Sequence, residues 1–216
     1  MGRCSRFLAV AAALSVVLAV SACGEQADGG QPISGMTVHD DDGMNGAVLA
    51  DEYVMPDTTL TATDGSSYSL TGDTTKPLTL VFFGYTHCPD ICQAVMADIA
   101  SAMTRLDDAD RADVGMLFIT SDPARDDPAV LREYLDRFDP SFEGLTGDLD
   151  RIVEVGSALG VAIEKGAKMP SGGYEVAHGT QIVGVEGTGR APIVWTEGTP
   201  AGDLAEDITG LLHQNR

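Results

Sequence analysis

Two runs, Leu78 to Phe83 and Val114 to Ile119, are apolar but for Thr79 and Gly115, and each has the length of a strand. They predict strands buried on both faces, since a half-exposed strand would alternate polar and apolar positions. Between and after them the period changes to that of amphipathic helices. Ile91, Val95 and Ile99 share one helical face, with Cys92 and Met96 beside them, and predict a helix from Pro89 to about Leu106. Val130, Leu131, Tyr134, Leu135 and Phe138 form a second such face, opened by Asp127 as N-cap and Pro128 in the first turn. A third helix, capped by Asp148, carries Leu149, Ile152, Val153 and Leu159 and stops at Gly160. A fourth presents Leu204, Ile208, Leu211 and Leu212.

Weaker patterns fill the gaps. "LTATDGSSYSL" sets Asp64-Gly65 between two short alternating runs, a hairpin signal. "TQIVGVEGTGRAPIVW" reads as two strands around a Gly-rich turn. Strand, helix, strand, helix, hairpin and a last helix make an α/β order around a central mixed sheet. The expected fold is a thioredoxin-like layered domain, with helices flanking that sheet.

The N-terminal quarter follows neither period. Arg3 and Arg6 precede an apolar run from Phe7 to Val20, and Val20-Ser21-Ala22-Cys23 resembles a bacterial lipobox. The apolar stretch is shorter than the ~20 residues of a spanning helix. Residues 1–22 are therefore expected to be a signal peptide of lipoprotein type, with Cys23 lipidated on the extracytoplasmic face of the cell membrane. Residues 23–50 are Gly- and Asp-rich and read as the lipidated N-terminus and a flexible linker, in which His39, Met36 and Met44 stay linker residues. The thioredoxin-like domain is expected to occupy residues 51–216.

Charge narrows the partners. The 216-residue chain has a formal net charge of −20, with 33 acidic and 13 basic residues. Losing Arg3 and Arg6 with the leader takes it to −22. Such a surface repels nucleic acid and offers no basic patch to anionic lipid headgroups.

The leader also simplifies the cysteine count. Of four cysteines, Cys4 leaves with the signal and Cys23 carries lipid, so Cys88 and Cys92 remain. They lie in "GYTHCPDIC", where Cys88 is expected as the N-cap and Pro89 as the first helical residue. Free N–H groups and the helix dipole favour thiolate there, which suits both redox exchange and metal ligation. Residues i and i+4 share a helix face, within disulfide reach. Closing so small a ring constrains little chain, so a reactive pair is favoured over a structural staple. A redox couple and a metal clamp both stay open. His178, in "YEVAHGTQIVG", precedes a predicted strand whose loop can approach the first helix; taken alone it is an ordinary loop histidine. With both thiolates it would make a soft, low-coordinate set that suits Cu(I), and the imidazole also accommodates Cu(II). Structural zinc usually takes four protein ligands.

"GYTHCPDIC", "SDPARDDPAVLREYLDRFDPSFEGLTG" and "YEVAHGTQIVG", in this order, resemble the Sco/SenC family of copper-binding proteins over roughly residues 50 to 214. The resemblance implies a thioredoxin-like fold and a copper site formed by Cys88, Cys92 and His178. It further implies a copper chaperone for the dinuclear copper centre of cytochrome c oxidase subunit II, acting by delivery of copper, reduction of that partner's cysteines, or both. Other extracytoplasmic copper or thiol-redox proteins are further partners. The alternative is a metal-independent thiol-disulfide oxidoreductase in which Cys88 and Cys92 form the redox-active disulfide. Exported reductases of this fold typically use a spacing one residue shorter, and the arrangement ahead of Cys88 lacks the threonine and proline of thiol peroxidases. His87, beside Cys88, is expected to be a supporting or surface residue rather than a fourth ligand, and Asp90 to act electrostatically at the helix start. Asp122, Asp126 and Asp127 are assigned to turn formation and capping, and Met169 is a thioether donor by residue type only. "VGVEGTGRAP" after His178 lacks the family's usual Asp-Pro-like turn.

Overall fold

The computed structural model describes residues 43–168 and 174–214. In chain order the elements are β1 (Ala47–Val54), β2 (Thr59–Ala62), β3 (Ser67–Ser69), β4 (Leu78–Gly84), α1 (Ile91–Arg105), α2 (Asp108–Asp113) and β5 (Val114–Thr120). Then follow α3 (Pro128–Leu135), β6 (Glu143–Thr146), α4 (Leu149–Ala158), β7 (Ile163–Lys168), β8 (Tyr174–His178), β9 (Ile182–Glu186), β10 (Arg190–Trp195) and α5 (Ala201–Gln214). Eight strands form one mixed sheet in the order β1-β10-β9-β4-β5-β6-β2-β3. The two apolar runs lie at its centre as the parallel pair β4–β5, in register from Leu78↔Val114 to Gly84↔Thr120.

Every residue of β4 is buried because both faces of the sheet are covered. Leu80 and Phe82 point to one face and pack with Met96 and Ile99 of α1, Leu131 and Tyr134 of α3, and Ile208 of α5. Val81 and Phe83 point to the other and pack with Ile152 and Val155 of α4. Truncating a fully buried ring such as Phe82 to alanine would cost about 3–5 kcal/mol.

Local signals hold where a single residue type explains them. Asp127 accepts from the Val130 amide with Pro128 at the helix start, and Asp148 accepts from the amides of Asp150 and Arg151. Gly65 takes the left-handed conformation in the β2–β3 turn (φ 82°), and Gly160 does so just past α4 (φ 71°). Of the apolar residues that α4 carries, Ile152 is buried and Val153 is 37% exposed.

The domain boundary at residue 51 is corrected. It falls inside β1, which begins at Ala47, pairs with β10 and buries Leu49. A buried carboxylate fixes the segment before it: Asp207 of α5 accepts from the amides of Asn45 and Gly46 and from Trp195 Nε1, at 2.7–3.0 Å. Asn45 and Gly46 lie some 160 positions from Asp207, so a composition rich in Gly and Asp concealed an ordered strand. Residues 1–22, expected to be a signal peptide, lie outside the described residues, as do Cys23, Met36, His39 and Met169.

Two strands outside the main sheet were not foreseen. β7 and β8 pair antiparallel as a separate hairpin, with Ile163 opposite His178.

Candidate functional site

The site forms where β4 ends. A side chain at Gly84 would meet the rings of Phe118 and Phe82 at 2.9–3.0 Å, so the chain turns here on a residue without one. The Gly84 carbonyl accepts from the Ser121 amide at 2.6 Å and the Ser121 hydroxyl at 3.1 Å, and the Cys88 amide donates to the Tyr85 carbonyl at 3.1 Å. Cys88 and Cys92 are both free thiols and both buried.

Cys88 is not the N-cap. Pro89 and Asp90 form a bend, α1 begins at Ile91, and Asp90 occupies the cap position without a side-chain capping bond. The Cys88 sulfur nevertheless accepts from the Cys92 amide at 3.4 Å, engaging one of the N–H groups that the helix start leaves free.

His178 reaches the pair from the end of β8, where the Gly179 amide donates to the Ala162 carbonyl at 2.9 Å. Its Nε2 lies 3.6 Å from Cys92 Sγ, and its Nδ1 is 2.9 Å from the Gly179 carbonyl. A carbonyl only accepts, so Nδ1 carries the proton and the Nε2 lone pair faces the sulfur. Tyr85 and Phe82 hold the ring edge-on, with centroids at 5.8 and 6.4 Å.

Burial sets the protonation of this group. It pushes the Cys92 thiol well above its ordinary value; the bond with Cys88 adds to this, and a bond from the Tyr85 backbone opposes it. Burial also lowers His178, against the bond to Gly179. The expected thiolate-favouring helix terminus is therefore outweighed at Cys92 by desolvation. In the metal-free protein Cys92 is a thiol and His178 a neutral imidazole, and metal binding would displace the thiol proton.

Among the described residues no three His, Cys, Asp or Glu side chains are gathered as a ready cage. The structure instead brings Cys92 and His178 into contact and sets the Cys88 sulfur against the Cys92 amide. Two sulfurs and an imidazole remain a soft donor set, suited by chemistry to copper.

The neighbouring residues divide. His87 is 57% exposed at its side chain and makes its bonds away from the cysteines. Asp127 caps α3 as expected, and Asp122 pairs with Arg125. Asp126 does neither. Fully buried, it accepts from the Thr86 amide (2.9 Å), the Thr86 hydroxyl (2.6 Å) and the Thr120 hydroxyl (2.7 Å). Arg125 also lies over the Tyr85 ring, 5.7 Å from its centroid. Neither contact was legible beforehand; the only signal was a second aspartate beside one sufficient cap.

Fold and site together define a thioredoxin-like domain with a buried cysteine pair beyond β4 and His178 set against Cys92. Residues 49–213 match the SCO1/SenC family profile, and the chain belongs to that family. Saccharomyces cerevisiae mitochondrial protein SCO2 is 40% identical over 100 residues, covering 42% of this chain and 33% of that protein. The chain spans between a quarter and about half of the length of these curated relatives, from 25% for Saccharomyces cerevisiae SCO1 to 56% for a Stutzerimonas stutzeri putative copper-binding protein. Among solved structures, Bradyrhizobium japonicum ScoI with copper bound is 30% identical with a TM-score of 0.64, covering 74% of this chain and 98% of that one. Apo Sco1 from Thermus thermophilus is 26% identical with a TM-score of 0.70, covering 82% and 99%. The mixed sheet with flanking helices is thus the Sco form of the thioredoxin-like fold.

Proposed function

We propose that this protein is an extracytoplasmic copper chaperone that holds one copper ion through Cys88, Cys92 and His178. Its cargo serves the dinuclear copper centre of cytochrome c oxidase subunit II, the role that the family resemblance implies. The observation that carries this reading is the Nε2 lone pair of His178 facing Cys92 Sγ at 3.6 Å, with the proton held on Nδ1 by Gly179. A dithiol reductase has no need of that imidazole. The copper-bound Bradyrhizobium relative, of the same fold, supports the choice of metal. Cu(I) suits two thiolates and an imidazole, and a site of few ligands leaves room for an incoming thiolate from the partner.

Cys23 is the proposed lipid anchor, with residues 1–22 removed. Among the described residues no helix is long and apolar enough to cross a membrane. Acyl mass on Cys23 and recovery in the membrane fraction are the expected results; an exported protein that stays soluble and unacylated would refute the anchor.

The deciding experiment incubates the Cu(I)-loaded protein with an apo fragment of oxidase subunit II and follows copper and thiols together. Copper transfer with the Cys88 and Cys92 thiols retained is expected. The free thiol pair favours a second reading, metal-free reduction of a partner disulfide. In that case Cys88 and Cys92 would become a disulfide, two electrons and two protons would pass to the partner, and no copper would move.

A further inference from the structure

Asp126 is a buried carboxylate that the helix beside it does not use. Capping of α3 falls to Asp127, whose side chain accepts from the Val130 amide. Asp126 is 0% exposed and serves three elements instead. Its carboxylate takes both donors of Thr86, in the loop ahead of Cys88, and the hydroxyl of Thr120 at the end of β5. Its backbone carbonyl takes the hydroxyl of Thr146 at the end of β6, at 2.9 Å. We propose that Asp126 is a positioning residue for the cysteine pair: by holding Thr86 at both backbone and side chain, it fixes the turn from which Cys88 faces Cys92. The inference rests on Cys88 and Cys92 being the working pair of the proposed function.

The chemistry requires a carboxylate. Three donors converge on two oxygens, and an ionised carboxylate is the side chain that only accepts. In Asp126→Asn one acceptor becomes a donor: placed at Oδ2 the amide nitrogen opposes the Thr86 backbone N–H and that bond is lost, and placed at Oδ1 it reverses the bond with the Thr86 hydroxyl, which must then accept. The bonds from Ser121 to Gly84 hold the start of the loop but do not reach Thr86. Asp126 therefore controls the part of the loop nearest the sulfur.

The test separates positioning from plain stability with three variants of the purified protein. Each is equilibrated with glutathione and glutathione disulfide, the dithiol becoming a disulfide as one glutathione disulfide becomes two glutathiones. Each is also titrated with Cu(I) against a competing chelator and melted. Asp126→Asn is expected to shift the disulfide equilibrium and weaken copper by on the order of 10- to 100-fold. Thr86→Val, which keeps the backbone bond, should shift both in the same direction by less. Thr120→Val removes the donor on the sheet side, together with the acceptor of the Asp122 amide, and should lower the melting temperature while moving neither equilibrium. If Asp126→Asn and Thr86→Val only melt earlier, or if Thr120→Val shifts the equilibrium as far as Thr86→Val, Asp126 is a clamp of the fold and the inference is wrong. Should Asp126→Asn not fold, the two threonine variants decide. A parent protein that binds no copper would overturn the chaperone reading, while the disulfide equilibrium would still decide the role of Asp126.

Discussion

The two halves of the candidate site are built to different standards. The cysteine half hangs from β4, a strand buried along its whole length at the centre of an eight-stranded sheet. Its loop is held by Ser121 at Gly84 and by Asp126 at Thr86, and α1 behind it buries Cys92, Val95, Met96 and Ile99. The histidine half arrives on β8, whose partner among the described strands is β7 and whose register breaks between Lys165 and Lys168. Near the site it is held by the Gly179–Ala162 backbone bond, the bond from Gln181 Nε2 to the Gly160 carbonyl, and the rings of Tyr85 and Phe82. One half is fixed by the core of the fold; the other is docked against it. Changes to the dithiol should therefore abolish function, whereas changes to the imidazole should tune it.

The largest effect is expected on the fixed side. Cys92→Ser replaces a soft donor by a hard, weakly acidic hydroxyl in a buried position. Cu(I) affinity should fall by more than about 100-fold, beyond the usual effect of altering a residue behind the ligands. Competition against a Cu(I) chelator measures this, with far-UV dichroism to show that the fold persists. Retention of parental affinity would exclude Cys92 as a ligand.

On the docked side His178→Ala should weaken Cu(I) by about 10- to 100-fold, because two thiolates still satisfy that ion. Cu(II), which prefers more ligands, should suffer more. Disulfide exchange by Cys88 and Cys92 should change only modestly, since both thiols keep their places. Unchanged copper affinity with crippled exchange would reverse the assignment and favour the metal-free reductase.

This contrast also explains what the sequence could disclose. Leu78 to Phe83 was legible because a strand covered on both faces is apolar at nearly every position, here all but Thr79. Asp127 and Asp148 were legible as caps because a cap is a local event, settled within three residues. His178 was not legible from its neighbours: the chain before it mixes Lys165, Lys168 and Glu175 with glycines, and the pairing that lifts it to Cys92 joins residues 163 and 178. Its proposed role rested on resemblance. Asp126 was hidden differently, since it looks like Asp122 and Asp127 in "SDPARDDP" and only its partners, Thr86 and Thr120, distinguish it. Cys88 was misplaced by a short distance, because proline after a cysteine fits a first helical turn and a bend equally well.

A smaller effect is expected from joining the two thiols. Only three residues separate Cys88 from Cys92, so the disulfide constrains little of the unfolded chain. Oxidation should change stability by less than about 2 kcal/mol. Denaturant titration with and without reductant checks this. If reduction alone unfolds the metal-free domain, the pair is a staple, and the fixed half of the site depends on the bond rather than supporting it.

The smallest effect is expected at His87, although it adjoins Cys88 in sequence. Thr86 Oγ1 gives its one proton to Asp126 at 2.6 Å, so in its 3.0 Å bond with His87 it must accept, and His87 Nδ1 is the donor. That nitrogen is thereby occupied, in a side chain 57% exposed. The same Nδ1 lies 3.7 Å from Asp126 Oδ1, on the side of the clamp. His87→Ala removes this outer contact and leaves both bonds from Thr86 to Asp126 intact. Cu(I) affinity and the disulfide equilibrium should each stay within about threefold of the parent, the size of an exposed polar contact worth about 0.5 kcal/mol. A loss comparable to that of His178→Ala would make His87 a ligand. The two halves of the site would then no longer divide into a dithiol from the core and an imidazole from the hairpin.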